Sequence, residues 1–178
     1  MIPELPQSPV IPLIPVLHAM AATPSVSEQR LAKVHPALAT RVRTMMETLS
    51  QSGIEIIVTQ GLRTWAEQDA LYAKGRTIPP IGKRYFVTQS RGGESFHNFG
   101  LAVDIVVLDA LRKADWDIAH PAWATAGEVG QSLGLVWGGA WKRFKDIPHF
   151  EYTAGLSLKD CQSLYAGGGI PAVWTRVL

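Results

Sequence analysis

The chain has 178 residues, of which 47% are hydrophobic and 18% are charged, and its formal net charge is +2. This length and apolar content suit one domain with a single buried core. Because the charge is nearly balanced, no long basic stripe is available to neutralise a phosphate backbone, and we expect no nucleic-acid partner.

Residues 1–24 carry proline at positions 3, 6, 9, 12, 15 and 24, which predicts an extended N-terminal arm in front of one folded domain over residues 25–178. The apolar stretch Val10–Met20 is short and contains prolines, so we predict no membrane-spanning helix and no stable insertion into a membrane. No basic residue precedes it, so a secretory signal is not expected, although the small alanines between positions 19 and 22 resemble a cleavage site.

Apolar side chains recur at three- and four-residue steps over residues 31–49, which predicts an amphipathic helix. Ser25 and Glu28 form a possible capping box before it, and Pro36 either splits this helix or starts its second part. Gly53 should end the helix.

The next segment, Ile54–Thr59, is rich in β-branched residues and predicts a buried strand. Thr64 and Glu67 offer a second capping box, for a short helix that ends near Lys74. Residues 75–100 are dominated by Gly, Pro, Ser and Arg, which favours a long loop, and such loops in small domains are often functional.

The second half of the chain likewise alternates between predicted strands and predicted helices. We predict strands at Leu101–Leu108 and His149–Tyr152, a helix at Trp123–Leu133, and a last helix at Leu158–Tyr165 closed by Gly167–Gly169. Together these elements indicate an α+β domain, in which helices pack against a small, mainly antiparallel sheet. Cys161 is the only cysteine, so we expect no intramolecular disulfide and a core position for it.

The stretch from Ser95 to Asp104 reads SFHNFGLAVD and places His97 in a loop and Asp104 inside an apolar strand. An unpaired carboxylate in such a strand is costly unless a metal or a cation compensates it, so a buried salt bridge is the alternative. Catalytic zinc sites use three protein ligands of the imidazole and carboxylate kind. His149 is the candidate for the third ligand, with carboxylates at Asp146 and Glu151 as possible bases.

These residues resemble the zinc peptidases related to D-alanyl-D-alanine carboxypeptidases, whose pattern is Ser-x-His-x-x-Gly-x-Ala-x-Asp with a carboxylate three residues before a later His. The matching positions are Ser95, His97, Gly100, Ala102, Asp104, Asp146 and His149, and the wider likeness includes Gly61–Thr64, Gln68, Leu71–Tyr72 and Trp137–Gly139.

The resemblance implies a hedgehog-type metallopeptidase fold and a catalytic domain over residues 25–178. It further implies that His97, Asp104 and His149 bind Zn²⁺ and that Asp146 is the general base. By the same likeness, Arg63 stabilises the oxyanion or binds a substrate carboxylate, unless it is only an ion-pair partner, and Ser95 binds substrate or fixes the loop. Trp137 and Trp141 are candidates for lining the cleft.

Aspartate rather than glutamate at position 146 is typical of the L-alanyl-D-glutamate endopeptidases of phage lysis cassettes within this superfamily. We therefore expect a phage or prophage endolysin that cuts murein stem peptides, made in the cytoplasm and released to the periplasmic murein, and acting as a monomer. A D-alanyl-D-alanine carboxypeptidase on the same scaffold is the first alternative, and a zinc-containing binding module without activity is the second.

Overall fold

The computed structural model describes residues 25–177, so the predicted arm over residues 1–24 lies outside the described part of the chain. The regular elements in chain order are α1 Val26–Leu31, α2 Pro36–Gln51, β1 Ile56–Gln60, α3 Trp65–Ala73, β2 Ala102–Leu108, β3 Ala114–Asp115, α4 Pro121–Ser132, β4 Val136–Trp137, β5 His149–Glu151 and α5 Leu158–Trp174. Short 3-10 turns occur at Lys83–Tyr85, Phe96–Phe99 and Gly138–Ala140.

The five strands form one sheet in the order β1-β2-β5-β4, and β3 pairs with β2. All of these pairings are antiparallel, which confirms the predicted α+β class with a small antiparallel sheet. The register places Asp104 of β2 directly opposite His149 of β5. Because directly opposed residues point to the same face of a sheet, this pairing brings two of the predicted ligands together.

The predicted split of the first long helix is confirmed. Ser25 caps α1 by accepting a hydrogen bond from the backbone N–H of Glu28, but the Glu28 carboxylate binds Arg43 instead of completing the capping box. Pro36 starts α2 at its first position, where a missing N–H costs nothing, and the His35 side chain caps it.

The core lies between the sheet and helices α2 and α4. It is built from buried aliphatic residues of these elements, with Trp123 of α4 and Phe150 of β5 as its largest members. No helix among residues 25–177 is long and apolar enough to cross a membrane.

Helix α3 begins with the predicted capping box, and both of its hydrogen bonds, between Thr64 and Glu67, are present. The long segment after α3 is irregular apart from the 3-10 turns Lys83–Tyr85 and Phe96–Phe99, as predicted. The Arg76 guanidinium holds it in place by lying 3.7 Å from the centre of the Tyr72 ring and 3.8 Å from that of Phe86. These contacts keep one wall of the site in a fixed position.

The prediction that the last helix ends at Gly167–Gly169 is wrong in one respect. The chain leaves the helical conformation at Gly168 and Gly169, but a second helical piece continues to Trp174. Gly169 has a φ of 66°, a left-handed conformation that glycine adopts at little cost, so the chain turns there and resumes its helix. Cys161 is buried in this part of the molecule, as expected for a core residue.

Candidate active site

His97 lies in the 3-10 turn Phe96–Phe99, immediately before β2. Ser95 precedes this turn, and its Oγ accepts a hydrogen bond of 3.4 Å from the backbone N–H of His97. The Nδ1 atom of His97 lies 2.8 Å from the carbonyl oxygen of Gly61. A carbonyl oxygen only accepts, so Nδ1 carries the hydrogen and the lone pair of Nε2 is left free for a metal.

In His149 the other ring nitrogen, Nε2, carries the hydrogen. Its Nε2 lies 2.8 Å from the Oε1 of Glu151, two residues further along β5. The carboxylate of Glu151 therefore fixes the proton on Nε2 and directs Nδ1 towards the site. On the sequence alone Glu151 is a rival base, with a role in supporting the ligands or facing solvent preferred, and its contact with the imidazole ring of His149 favours the supporting role.

Three candidate ligand atoms converge at one point. The Oδ1 of Asp104 lies 3.1 Å from His97 Nε2 and 3.0 Å from His149 Nδ1, and the two nitrogens are 3.2 Å apart. A tetrahedral zinc ion with bonds of about 2.1 Å separates its ligands by about 3.4 Å, so this triangle is close to the size that zinc requires. Because three electron-rich atoms at such distances repel one another, the donor set fits a bound cation.

The Asp104 carboxylate brings negative charge to this triangle of atoms. Burial by itself lowers the pKa of His149, but hydrogen bonds with Asp104 and Glu151 outweigh burial and raise the pKa to about 10. Burial by itself raises the pKa of Asp104, but the two histidines that contact its carboxylate outweigh burial and hold that pKa well below its usual range. The cluster therefore attracts positive charge to its centre.

Arg63 is buried behind the Asp104 carboxylate. Its Nη2 donates to the Oδ2 of Asp104 at 3.3 Å, and its Nη1 donates to the Oε1 of Gln68 at 2.7 Å. The Nε of Arg63 has no partner among the described residues. Arg63 thus forms an ion pair with Asp104, one of the roles expected from the sequence. It also lines the cleft that would receive substrate.

Two buried polar residues support this arrangement, and the sequence did not predict their roles. Gln68 holds Arg63 and donates from Nε2 to the carbonyl oxygen of Ser90 at 2.8 Å. Asn98 donates to the carbonyl oxygen of Arg63 at 2.9 Å and accepts from the N–H of Gly93 at 2.9 Å. Gln68 belongs to the wider likeness quoted from the sequence, and Asn98 follows His97 in the motif, but neither observation indicated which groups these two amides contact.

Asp146 lies on the loop that precedes β5 and lines the same cleft as the three ligand residues. Its backbone N–H donates to the carbonyl of Gly138 at 3.1 Å, and its carbonyl accepts from the N–H of His149 at 3.1 Å. Its side chain is exposed to the cleft, and desolvation raises the pKa of its carboxyl, an effect that His149 opposes and the negative charge of Asp104 reinforces. A carboxylate so placed suits proton transfer.

The cleft has a volume of about 850 Å³ and opens over the three ligand residues. Of the two tryptophans considered from the sequence, Trp141 lines it, with a ring centre 5.4 Å from that of His149. Trp137 packs against the core instead, where its Nε1 donates to the carbonyl of Ile147 at 2.8 Å and its ring stacks on Phe150.

Comparison with known proteins places this site in a family. A sequence profile described as D-alanyl-D-alanine carboxypeptidase matches residues 88–152, the span that contains Asp104, Asp146 and both histidine ligand candidates. The peptidoglycan L-alanyl-D-glutamate endopeptidase CwlK of Bacillus subtilis strain 168 is 40% identical over 129 residues, which cover 66% of this chain and 72% of CwlK. The L-alanyl-D-glutamate peptidase of Listeria phage A118 is 28% identical over 116 residues, covering 62% of this chain but only 35% of the phage protein.

Among solved structures, the L-Ala D-Glu endopeptidase ChiX of Serratia marcescens superposes with a TM-score of 0.53 at 30% sequence identity. The superposition covers 75% of this chain and 88% of ChiX. The similarity to CwlK extends over more than two thirds of that protein, and the ChiX match shows the same architecture. The chain therefore belongs to the D-alanyl-D-alanine carboxypeptidase family of zinc peptidases that act on peptidoglycan, as the resemblance of its sequence motif implied.

Proposed function

We propose that this enzyme is an endopeptidase that hydrolyses the L-alanyl-D-glutamate bond of peptidoglycan stem peptides. The observation that carries the proposal is the convergence of His97, Asp104 and His149 beside a cleft that contains Asp146, in a chain 40% identical to CwlK. An open cleft suits a bond inside a peptide, because substrate must extend to both sides of it.

In this proposal His97, Asp104 and His149 hold the zinc ion. When bound, zinc supplies Lewis acidity that polarises the scissile carbonyl and activates water for attack at neutral pH. Asp146 takes a proton from the attacking water and returns it to the nitrogen of the leaving D-glutamyl residue. The raised pKa of its carboxyl favours the second of these transfers, since a weaker acid holds the proton until the amine departs.

Arg63 and Ser95 have supporting parts in the same proposal. Arg63 lines the cleft and keeps its positive charge beside Asp104, so it can stabilise negative charge that develops on the carbonyl oxygen or bind a substrate carboxylate. Ser95 fixes the turn that carries His97, and its position in the cleft lining also allows contact with substrate.

Digestion of purified murein by the zinc-loaded protein tests the scissile bond. Mass spectrometry should detect released peptides with D-glutamate as their new N-terminus, and treatment with a chelator should abolish this release until zinc is restored. A D-alanyl-D-alanine carboxypeptidase, which the description of the matching family profile favours, would instead release free D-alanine. Free D-alanine without new D-glutamyl ends would replace our proposal with this second candidate.

We also propose that the enzyme serves as a phage or prophage endolysin that reaches the murein after release from the cytoplasm. The similarity to the Listeria phage peptidase supports this role. Expression in a Gram-negative host should leave cells intact until a holin is co-expressed, and lysis should then follow. Lysis that starts equally fast without a holin would argue against this route.

The expected monomer is a separate proposal. Light scattering on the purified protein should give the mass of one chain, 19.4 kDa. A mass of two chains that persists on dilution would contradict it.

A further inference from the structure

The loop before β5 contributes three consecutive residues, Phe144, Lys145 and Asp146, to the lining of the cleft. In an extended chain, neighbouring side chains point to opposite sides, so this arrangement needs a special backbone conformation. Phe144 supplies it with a φ of 53°, in the left-handed region that non-glycine residues rarely occupy. Strain of this kind persists where the surrounding structure imposes it, and it is concentrated at functional sites.

The loop is held on both sides of this strained residue. The N–H of Trp141 donates to the carbonyl of Gly138 at 3.2 Å, and the N–H of Asp146 donates to the same carbonyl at 3.1 Å. Lys145 therefore belongs to a short loop that is anchored at both ends, with its neighbour Asp146 beside the metal ligands in the cleft lining.

The charges of the cleft single out Lys145. The charged side chains in its lining are the carboxylates of Glu94, Asp104, Asp146 and Glu151 and the cations of Arg63 and Lys145. Arg63 is already paired with Asp104, whereas Lys145 has no ion pair with any residue of the described chain. The Lys145 ammonium is thus the cation that remains available to an anionic group of a bound substrate.

The proposed substrate has such a group close to the scissile bond. A D-glutamyl residue has two carboxyl groups and continues the peptide through only one of them. The other remains a free carboxylate on the residue whose nitrogen is the leaving group. Asp146 is proposed to protonate that nitrogen, so the side chain next to Asp146 in the loop lies on the same side of the scissile bond.

We propose that Lys145 is a specificity residue that binds the free carboxylate of the D-glutamyl residue on the leaving-group side. This inference rests on the proposed endopeptidase function and deepens it. It assigns selection of the acidic residue to Lys145, and Arg63, which is paired with Asp104, then keeps the oxyanion-stabilising role of the two proposed for it. Amidation of this carboxylate removes the charge that Lys145 binds, so the enzyme should discriminate against amidated murein.

Two peptides test the proposal: an L-alanyl-D-glutamyl stem peptide and the same peptide with its free carboxylate converted to the amide. For the zinc-loaded wild-type enzyme, kcat/KM should be about tenfold higher for the acid than for the amide, the factor expected for one charge-assisted hydrogen bond. Lys145→Met keeps the length of the side chain without its charge and should bring the two peptides to equal rates. Lys142→Met is the matched control, because Lys142 is exposed on the same loop but does not line the cleft.

A binding measurement separates this proposal from the proposed function. Calorimetry with the product peptides that begin with D-glutamate or with its amide reports recognition even where no bond is cut. Preferential binding of the acid that is lost in Lys145→Met and kept in Lys142→Met supports the proposal, whether or not the intact peptides are cleaved. If Lys145→Met keeps the wild-type preference, if the wild type has no preference, or if both variants lose it equally, Lys145 does not select this carboxylate.

Discussion

At the scale of single residues, the site depends on which nitrogen of each histidine is free. Gly61 holds the proton on Nδ1 of His97, and Glu151 holds the proton on Nε2 of His149. The two remaining nitrogens face each other and the Asp104 carboxylate, so each ring offers a different atom to the same ion.

This arrangement predicts that His149 stays protonated in the metal-free protein at a pH where an ordinary histidine is neutral. Its pKa is raised to about 10, so its imidazolium should persist at pH 8, lose its proton only as the pH approaches 10, and be deprotonated when zinc binds at pH 8. NMR titration of the histidine side chains measures this directly. His35 is an internal control with the opposite shift, because burial lowers its pKa. Titration of His149 below pH 7 would contradict the prediction.

Asp146 is the proposed base and Asp104 a proposed zinc ligand, so we expect their substitution to impair different properties of the enzyme. Asp146→Asn should reduce kcat on the order of 10²- to 10⁴-fold with normal zinc content, since it removes a proton acceptor and no ligand. Asp104→Asn should lose zinc affinity, because it weakens one ligand and leaves Arg63 without its anionic partner. Zinc analysis alongside murein hydrolysis separates the two. Full activity of Asp146→Asn would remove Asp146 from the mechanism.

At the scale of elements, two paired strands position Asp104 and His149, and a tight turn positions Asp146. The pairing of β2 with β5 sets Asp104 against His149, while Asp146 depends on the turn around Gly138. A Cβ atom at Gly138 would lie 2.5 Å from the carbonyl oxygen of Asp146 and 3.2 Å from the Cβ of His149. Glycine is therefore required there by close approach of the backbone.

Gly138→Ala should consequently displace the loop that carries Asp146. We expect a loss of stability of about 1–3 kcal/mol from overpacking, together with a fall in kcat that exceeds any change in zinc content. Gly167→Ala is the matched control, because a Cβ there meets no atom within 4 Å, and it should not lower stability. Urea unfolding and murein hydrolysis of both variants provide the measurement. Equal behaviour of the two alanine variants would contradict the packing argument.

At the scale of the whole molecule, helix α5 supports the His97 turn from behind. The Nε1 of Trp174 donates to the carbonyl of Phe99 at 2.7 Å, and Gln162 donates to the carbonyl of Gly93 at 2.9 Å. A second buried cluster joins the helix to the turn through Phe99, Leu101, Cys161, Val173 and Val177. The C-terminal helix, which lies outside the motif and the matching family profile, thus contributes to the metal site.

Trp174→Phe tests this long-range support, because it keeps an aromatic ring and removes the N–H donor. The carbonyl of Phe99 then lacks its partner, so we expect a loss of about 1–3 kcal/mol of stability and weaker zinc binding in competition with a chelator. Trp116→Phe should change neither, since Trp116 is 57% exposed and lies at the rim of the cleft. Unchanged zinc affinity in a destabilised Trp174→Phe would restrict α5 to a structural role.

Local patterns were sufficient for much of this description. The capping box at Thr64, the proline at the start of α2 and the β-branched run of β1 are encoded within a few residues, and each leads to the predicted element. The spacing from His97 to Asp104 also predicted the metal cluster, because a turn followed by a strand leaves few ways to orient two ligands.

Contacts between distant segments decided the rest. Asp104 pairs with Arg63, the carbonyl of Gly61 orients the His97 ring, and Trp174 in the helical piece after Gly169 reaches the His97 turn. The sequence by itself predicted most elements from short-range periodicity and capping signals, and its resemblance to a known family implied the family and the candidate ligands. Only the tertiary structure decided which histidine nitrogens face the metal site and that Lys145 lines the cleft without an ion pair among the described residues. These features depend on hydrogen bonds and ion pairs that form only when the strands and loops pack together.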